Sequence, residues 1–354
     1  MRIAIDARLV GGTSTGDSTY WTELCIALVK RFPEVKWLLL TDQIDRLPAE
    51  LRDFGILVTA RHPRLWSLFA FPQACRALKA DVAHVQYNIS PFMPCSTVTT
   101  IHDVSFFIGP DWFSARDRFL LQKFIPATVR RAKAIITVSK TSKKEIEQYL
   151  PSAKGKTFGI FNGPNAMIHA IGLDEARGIA SNLGVTQPFL MTLGTIWPRK
   201  NMMLAVNAWQ ELRKTLEIDL VVVGKQGPSI LPEIPGLHRT GYIDWNQVSA
   251  LYSSASAYLC PSLHEGFGLP ILEAWQCNCP IVATRLGAIP EVAGDGALII
   301  DSLDPKIWAT QIQSLLQDSG KLDELKRRGA TRLSQFSWDL AAEQTMSVYK
   351  RVNG

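Results

Sequence analysis

The chain of 354 residues lacks the features that mark membrane-spanning, disulfide-rich and disordered proteins. No apolar run reaches the roughly 18 residues that a transmembrane helix needs. The six cysteines form no CxxC pair and no zinc-ligand spacing, so we expect them to be reduced, small apolar residues of a cytoplasmic protein. The start MRIAIDARLV loses its apolar character at Arg8 and predicts a first β-strand instead of a signal peptide. With 47% hydrophobic and 20% charged residues, the composition is typical of a globular protein.

Two further absences concern binding. The glycine-rich segment 11–21, GGTSTGDSTYW, has no G-x-G-x-x-G pattern, so a dinucleotide fingerprint is not supported. No block of five or six like charges and no nucleic-acid-binding motif occurs, which argues against a nucleic-acid partner. The net charge of +6 is nevertheless uneven, because residues 1–165 carry 22 Lys/Arg against 14 Asp/Glu. A basic first half favours an anionic partner.

Short apolar runs alternate with longer amphipathic stretches, and the alternation occurs twice. This pattern predicts two doubly wound α/β domains. The predicted strands are 2–6, 37–41, 82–86, 98–102, 134–139, 189–194, 219–223, 257–260, 280–284 and 297–300. Helical patterns include 20–31, 116–131 and 309–316. The stretch 155–188, rich in Gly, Pro and Asn, is interpreted as the linker.

The most informative loop follows the predicted strand 257–260 and reads PSLHEGFGLPILEAW. Gly266 and Gly268 allow close approach of a ligand to the backbone, and Pro270 suits the first position of a helix. A helix N-terminus favours an anion such as a diphosphate. Glu265 precedes this turn, and Glu273 is predicted in the first helical turn, where the helix dipole alone also favours an acidic residue.

This loop, followed by PIVATRLGAIPEVAGDGALII, resembles the C-terminal signature of the retaining GT-B glycosyltransferases of glycosyltransferase family 4. Four other segments match in the right order, TIHDVSF (100–106), TVSKTSKKEI (137–146), FNGPN (161–165) and TLGTIWPRKN (192–201). The resemblance spans most of the chain. Bacterial mannosyltransferase-like members, sometimes called group 1, are the most similar because of IHDVSF and GTIWPRKN.

The resemblance implies roles for the C-terminal half. Glu265 would contact the donor-sugar hydroxyls and Glu273 the ribose. Lys200 would neutralise the leaving diphosphate, as one of three catalytic residues with His102 and Glu265. Backbone groups would contact the diphosphate at Gly266, Phe267, Gly268 and Leu269.

One position departs from the family pattern. Thr195 stands where the family usually has an arginine, directly after the glycine of the strand. Thr195 is kept among the donor-site positions, and the neighbouring Arg199 is predicted to supply the missing positive charge.

In the N-terminal half, the resemblance implies that His102 contacts the donor sugar or stabilises charge at the reaction centre. The alternative for His102 is a buried structural histidine, and Asp103 is interpreted as a turn residue. Segment 11–21 resembles the family's first glycine-rich loop, with Gly12 and Gly16 as donor-site candidates. Ser18 replaces that loop's usual second glycine.

The implied architecture is GT-B: two Rossmann-like domains facing across a cleft, with a C-terminal helix crossing back. The predicted domains are residues 1–165, which bind the acceptor, and 166–336, which bind the donor. Residues 337–354 would form the helix that packs on the N-terminal domain.

The implied reaction transfers a hexose, with retention, from a nucleoside diphosphate sugar to an acceptor hydroxyl. GDP-mannose is the first candidate for the donor. The acceptor would be a glycan or a lipid-linked glycan. No resident cofactor is expected, because the nucleoside diphosphate sugar is a co-substrate. No Asp-x-Asp motif of metal-dependent glycosyltransferases occurs, so metal-independent catalysis is predicted.

Segments 61–72 and 104–119 mix aromatic side chains with arginine. Together with the basic first half, they favour a peripheral protein on the inner face of an anionic membrane. The same residues suit the core and lid of an acceptor domain equally well.

Two other functions remain open at this point. The chain could be a different GT-B enzyme, such as a nucleotide-sugar epimerase or a phosphorylase, although the Glu265-x7-Glu273 block fits those less well. It could also be a catalytically silent nucleotide-sugar-binding module, which the changes at Thr195 and Ser18 would permit.

Overall fold

The computed structural model describes residues 1–12, 16–60, 62, 65–186 and 188–354. The chain divides into two compact units. The first unit consists of Met1–Gly163 and Ser337–Gly354, and the second of Pro164–Phe336. The second unit is thus one continuous segment inserted between the two parts of the first.

The first unit contains a parallel sheet. Its strands are β1 (Arg2–Asp6), β2 (Lys36–Thr41), β3 (Gly55–Leu57), β4 (Val82–Gln86), β5 (Ser96–Thr100), β6 (Ala134–Thr137) and β7 (Thr157–Gly159). The spatial order is β3-β2-β1-β4-β5-β6-β7. The order changes direction between β1 and β4, and such a switch point is where doubly wound sheets bind ligands. Ile3, Ala4 and Ile5 of β1 are fully buried, as expected of a strand covered on both faces.

Helices cover this sheet. They are α1 (Gly16–Arg31), α2 (Phe71–Ala77), α3 (Ser105–Ile108), α4 (Ala115–Arg131) and α5 (Lys140–Tyr149). α4 begins after Ser114, whose hydroxyl accepts from the Asp117 backbone N–H and so satisfies a free helix donor.

The second unit repeats the plan. Its parallel strands are β8 (Phe189–Leu193), β9 (Asp219–Val223), β10 (Leu237–Gly241), β11 (Ala257–Cys260), β12 (Ile281–Thr284) and β13 (Leu298–Ile300), in the order β10-β9-β8-β11-β12-β13. Its helices are α6 (Leu173–Asn182), α7 (Met202–Leu212), α8 (Trp245–Ser254), α9 (Leu269–Gln276), α10 (Ile289–Ala293), α11 (Pro305–Leu316) and α12 (Ser319–Leu333). Trp209 and Trp308 are fully buried in its core.

The last helix, α13 (Trp338–Asn353), belongs to the first unit and packs against α1. Ser337 caps its N-terminus by accepting from the Asp339 backbone N–H. Thr345, Met346 and Tyr349 are buried, at the three- and four-residue spacings of one helix face.

Strands 2–6, 82–86, 219–223 and 257–260 were predicted with the bounds that the structure shows. The prediction of strand 98–102 was wrong by two residues, because β5 begins in the threonine-rich stretch STVTT, which has no continuous apolar run. The linker prediction for 155–188 was also wrong in part, since this stretch contains β7 and α6.

The six cysteines are unbridged, and five of them are buried. Within the described part of the chain, no helix has both the length and the apolar character to cross a bilayer.

Candidate functional site

Two loops meet at the carboxyl edge of the sheet in the second unit. β8 and β11 are neighbouring parallel strands, so the segments that follow them leave the same edge. The segment after β8 forms one 3₁₀ turn, Pro198–Lys200, and the segment after β11 leads to Glu265. The Leu263 backbone N–H donates to the Arg199 carbonyl over 2.8 Å and joins the loops directly. The predicted donor residues of both segments are therefore neighbours.

The carboxylate of Glu265 lies at the centre of this meeting point. Its Oε1 accepts from Lys200 Nζ at 2.6 Å and from the Ser262 hydroxyl at 2.6 Å. Its Oε2 accepts from an Arg199 guanidinium nitrogen at 3.2 Å, and the same nitrogen donates to the His264 carbonyl at 2.8 Å. We call Glu265, Lys200, Arg199 and Ser262 the charged cluster.

The charged cluster keeps Glu265 ionised although the residue is only 6% exposed. Burial by itself raises the pKa of a carboxyl group, because a charge is poorly solvated in the protein interior. Here the positive charges of Lys200 and Arg199 outweigh that burial and lower the pKa of Glu265 to about 2. Glu265 is therefore an anion at every physiological pH.

Glycine makes room for the cluster at two positions. Gly194, at the end of β8, has φ +138°, and a Cβ there would lie 3.1 Å from Lys200 Cε. Gly287 has φ +58°, and a Cβ there would lie 2.7 Å from both the backbone N and O of Glu265. Only glycine combines these backbone angles with such close neighbours. The Lys200 stem and the Glu265 backbone are thus fixed by contact with main chain.

The predicted helix after the glycine loop is α9. Gly268 caps it in the left-handed region at φ +95°, Leu269 is its first residue, and Pro270 is its second residue, one position later than predicted. Phe267 is buried with its ring edge-on to Phe336, at a centroid distance of 5.8 Å. The first backbone N–H groups of α9 thus follow directly on the Gly266–Gly268 loop, as an anion site requires.

Glu273 was predicted in the first helical turn, and this was wrong. It is the fifth residue of α9 and so lies in the second turn, since an α-helix has 3.6 residues per turn. Asn165 Nδ2 donates to its Oε1 over 3.0 Å. Burial raises the pKa of Glu273, although the Asn165 hydrogen bond and the charge of Lys200 act against that rise. Both predicted carboxylates are thus influenced by Lys200.

The position after Gly194 carries no cation. The Thr195 carbonyl accepts from the Trp197 backbone N–H at 2.7 Å, within the loop that leads to the 3₁₀ turn. The second positive charge beside Glu265 comes from Arg199. This is the position at which the sequence predicted a replacement for the family's arginine, and its role in donor binding stays a prediction.

His102 lies in the first unit, just after β5. Its Nε2 is 2.9 Å from Gln86 Oε1 and 3.6 Å from Asp17 Oδ1. The ring packs edge-on to Tyr20, with centroids 4.8 Å apart. Gln86 ends β4 and Asp17 lies in the first turn of α1, so two elements beside the switch point of the sheet contact this histidine.

The glycine-rich loop lies partly outside the described residues. Residues 13–15 lie outside the described residues, as do 61, 63 and 64 of the aromatic segment 61–72. The Gly12 backbone N–H donates to the Leu9 carbonyl at 3.3 Å, and Gly16 begins α1. Ser18 is buried, and its hydroxyl donates to the same Leu9 carbonyl at 2.8 Å. This bond joins the start of α1 to the residues just before the glycine-rich loop.

Ser262, Asn165, Gln86 and Asp17 contact the predicted residues but were not predicted themselves. Gln86 is the last residue of a correctly predicted strand, and the carboxyl ends of such strands are where ligands bind, so its position was a signal in the sequence. The partner of Asn165 lies 108 residues away, and nothing local in the sequence indicates that contact. Among the described residues, no group of three or more His, Cys, Asp or Glu side chains could hold a metal ion.

Two family models match the chain. The model of glycosyltransferase family 4 matches residues 15–166, and that of the group 1 glycosyl transferases matches residues 187–318. Together they cover most of both units.

Individual relatives agree with this. The chain is 30% identical over 334 residues to O-antigen chain mannosyltransferase B of Escherichia coli, which covers 86% of this chain and 83% of that protein. It is 26% identical over 275 residues to the O-antigen chain mannosyltransferase RfbU of Salmonella typhimurium, covering 72% and 71%.

Solved structures share the fold. Sucrose-phosphate synthase from Thermosynechococcus elongatus superposes with a TM-score of 0.76 at 18% identity, over 99% of this chain and 98% of that chain. WaaG, a glycosyltransferase involved in lipopolysaccharide biosynthesis, gives 0.73 at 14% identity, over 98% and 99%. The two Rossmann-like units are therefore those of a GT-B protein, as predicted. With its relatives and family models in agreement, the chain belongs to the family 4, group 1 glycosyltransferases.

Proposed function

We propose that this glycosyltransferase moves mannose from GDP-mannose to a hydroxyl of a glycan or lipid-linked acceptor, with retention at the anomeric carbon and without a metal ion. Two relatives that are named as O-antigen mannosyltransferases support the choice of sugar and of acceptor class. The charged cluster beside the start of α9 is the observation that carries the proposal.

The diphosphate of the donor would lie between Lys200 and the first N–H groups of α9. The Lys200 ammonium has three N–H groups, and among the described residues only Glu265 accepts from it. Two N–H groups therefore remain for phosphate oxygens. Negative charge on the leaving diphosphate grows as the bond to the sugar breaks, so preorganised donors at this place lower the barrier.

This arrangement also supports catalysis without a metal ion. A metal in other glycosyltransferases neutralises the diphosphate, and here the charged cluster has a net charge of +1, because the two cations Arg199 and Lys200 are opposed by the one carboxylate of Glu265. Their side chains are 25% and 18% exposed, so their charges are partly shielded from water. Lys200 would act on the diphosphate, while Arg199 holds Glu265 in place.

The two carboxylates would orient the donor. Glu265 is anionic and can accept from sugar hydroxyls, because a carboxylate has about four acceptor sites and three bonds are made here. Glu273, held by Asn165, would accept from the ribose hydroxyls. Burial raises the pKa of Glu273, and a diol that donates two hydrogen bonds would stabilise its ionised form.

Retention is proposed through transfer on one face of the sugar. The bond from the anomeric carbon to the diphosphate breaks, the acceptor oxygen bonds that carbon from the same face, and the acceptor proton moves to the departing phosphate oxygen. A double displacement would need a carboxylate as nucleophile. Glu265 is engaged by two cations and a hydroxyl, which supports the one-face route.

A donor panel tests the proposal. The protein is incubated with GDP-mannose, UDP-glucose, UDP-N-acetylglucosamine and free nucleotides in the presence of a chelator, and thermal shift and slow donor hydrolysis are measured. We expect a shift and hydrolysis with GDP-mannose. Lys200→Ala should lower hydrolysis by about 10²–10³ because one preorganised donor is lost. Lys214→Ala is the control, since Lys214 is 64% exposed and, within the described part of the chain, forms an ion pair with Glu211 alone.

Other outcomes would replace the proposal. Conversion of the donor sugar to its epimer without an acceptor would identify an epimerase. No response to any donor or nucleotide would favour the silent binding module. Dependence on an added divalent cation would contradict the metal-free reaction.

A peripheral position on the inner face of an anionic membrane is proposed for the acceptor step. Phe119 and Phe124 on α4 are 60% and 50% exposed, and Lys123 lies over the Phe119 ring at 5.5 Å. Exposed aromatic side chains beside basic ones are typical of surfaces that bind anionic bilayers. Flotation with anionic vesicles tests this, and the Phe119→Ser/Phe124→Ser variant should lose binding. If the parent protein did not bind these vesicles at moderate salt, the proposed membrane position would be wrong.

A further inference from the structure

The side-chain amide of Gln86 lies between the start of α1 and His102. Its Nε2 donates to the Asp17 backbone carbonyl at 3.3 Å, and its Oε1 is 2.9 Å from His102 Nε2. Both contacts lie within the first unit. Gln86 is directly followed by Tyr87, a non-glycine residue in the left-handed region at φ +62°. The chain thus turns sharply immediately after the strand that carries this amide.

The orientation of this amide follows from its first contact. A backbone carbonyl can only accept a hydrogen bond, so the NH₂ group of Gln86 must face Asp17. The oxygen of the amide must then face His102. Because an amide oxygen also only accepts, His102 Nε2 must carry the proton of the bond between them.

The Asp17 carboxylate supports the same assignment independently. Its Oδ1 lies 3.6 Å from His102 Nε2, which is too far for a strong hydrogen bond but near enough for charge attraction. A negative charge beside one ring nitrogen favours the tautomer in which that nitrogen bears hydrogen. Two groups from α1 and β4 therefore act in the same direction on one atom.

The other ring nitrogen is left for a ligand. In the neutral imidazole, a proton on Nε2 leaves the lone pair on Nδ1. Among the described residues, none donates a hydrogen bond to His102 Nδ1. The rings of Tyr20 and Tyr87 lie against the imidazole, with centroids 4.8 and 5.7 Å away, and limit its rotation.

We propose that Gln86 is a positioning residue that fixes neutral His102 as the Nε2–H tautomer, so that Nδ1 accepts a hydrogen bond from a hydroxyl of the bound substrate. The assignment of that hydroxyl group to a sugar rests on the proposed function, whereas the assignment of the His102 tautomer does not. His102 is thereby an acceptor towards its ligand, whereas a histidine that stabilises developing negative charge would have to present an N–H.

Nitrogen-15 spectra of the histidine rings test the tautomer directly. The full-length protein is labelled at histidine and studied at alkaline pH, where imidazoles are neutral, and His102→Gln assigns the His102 signals. We expect Nδ1 to show the shift of an unprotonated ring nitrogen. Gln86→Leu should change the ratio of the two tautomers about fivefold, the factor given by one hydrogen bond of ordinary net strength.

Matched variants separate positioning from folding. Gln86→Glu keeps an acceptor opposite Nε2 and should retain the tautomer, whereas Gln148→Leu, at an exposed site on α5, should change nothing. A protonated Nδ1 in the parent protein, or an unchanged tautomer ratio in Gln86→Leu, would overturn the proposal.

Kinetics then test the link to substrate. In Gln86→Leu we expect donor hydrolysis to fall about tenfold in kcat while donor-induced thermal shift is retained. Activity that is equal in the parent and Gln86→Leu, alongside the expected tautomer change, would refute the substrate contact and leave the tautomer assignment intact. A parent protein that responds to no donor would instead refute the proposed function.

Discussion

The first unit buries a neutral chain of hydrogen bonds, whereas the second buries a charged cluster. In the first, Tyr20 and His84 both contact the Thr100 hydroxyl, at 3.1 and 2.9 Å, and His84 Nδ1 lies 2.5 Å from the Tyr349 hydroxyl. We call these four residues the neutral network. Every member is at least 97% buried, and the chain joins β4 and β5 to α1 and α13.

The charged cluster lies instead at the edge of its sheet. Lys200 and Arg199 keep part of their surface in water, whereas Glu265 and Ser262 are buried. Ions cost much more to bury than hydroxyl groups do, so charge is retained where a ligand requires it. The neutral network fastens the C-terminal helix to the sheet, while the charged cluster is suited to bind an anion. The comparison teaches that the fully buried polar network is neutral, whereas the charged side chains lie where two of them still reach water.

Acid should destabilise the first unit more than the second, and this is the largest effect that we expect. Burial lowers the pKa of His84 to about 3, against about 6.5 in an unfolded chain. Below pH of about 6.5 the unfolded state binds a proton that the folded state does not. Stability of the first unit should therefore fall by about 1.4 kcal/mol per pH unit, or about 3 kcal/mol by pH 4.5.

The second unit should keep its stability down to a lower pH than the first. The pKa of Glu265 is about 2, against about 4.3 for an unfolded glutamate, so its contribution is complete above about pH 4.3 and is lost between that pH and about 2. Hydrogen exchange followed by mass spectrometry at pH 7 to 4.5 reports each unit separately. His84→Gln should flatten the slope in the first unit, with exposed His169→Gln as control. If both units lost protection from hydrogen exchange at the same pH, the proposed difference in acid stability between them would be wrong.

Removal of the central anion should have the next largest effect. Glu265→Ala leaves Lys200 and Arg199 close together without their carboxylate, and we expect a loss of about 2 kcal/mol, less than for fully buried ion pairs because both cations reach water. Chemical unfolding measures it. The control is Glu324→Gln, because this exposed glutamate pairs with Arg327 and Arg328 at the surface and should leave the unfolding midpoint unchanged. An equal midpoint in both variants would mean that the cluster adds nothing to folding.

Tyr349→Phe tests the neutral network. The variant keeps the ring but removes the hydroxyl that contacts His84, so one nitrogen of a fully buried histidine loses its partner. We expect a loss of about 1–2 kcal/mol and faster hydrogen exchange in α13. Tyr149→Phe, at a tyrosine that is 39% exposed, should leave both unchanged. Unaltered exchange in α13 would show that apolar packing alone holds this helix.

Glu273→Gln should change stability least and function strongly. The pKa of Glu273 is raised by burial, so replacing its charge with an amide relieves a cost, and Gln can still accept from Asn165. We expect an unfolding midpoint equal to or above that of the parent. The GDP-mannose thermal shift should be lost at the same time, because an amide accepts more weakly from ribose hydroxyls than a carboxylate does. A large loss of stability would place Glu273 among the structural groups.

Much of the fold and part of the site were predictable from sequence. Apolar runs such as LVVVG are buried on both faces, and their strand type follows from that local property. The short strands β3, β7 and β10 were missed, since three to five residues of mixed character carry little pattern. Lys200, Arg199 and Glu265 were selected by their place after strands and by family resemblance, and they do lie together. Their ion pairing was not predicted.

The sequence by itself determined the fold class, the family and the positions at which chemistry is concentrated. Those properties depend on periodicity and on short motifs, in which each residue interacts with near neighbours in the chain. Only the tertiary structure decided which side chains are joined by hydrogen bonds or ion pairs. Lys200 and Glu265 are 65 residues apart, and Gln86 and His102 are 16 apart. Such pairs form because parallel strands place distant segments at one sheet edge, and the order of strands is fixed by packing of the whole unit.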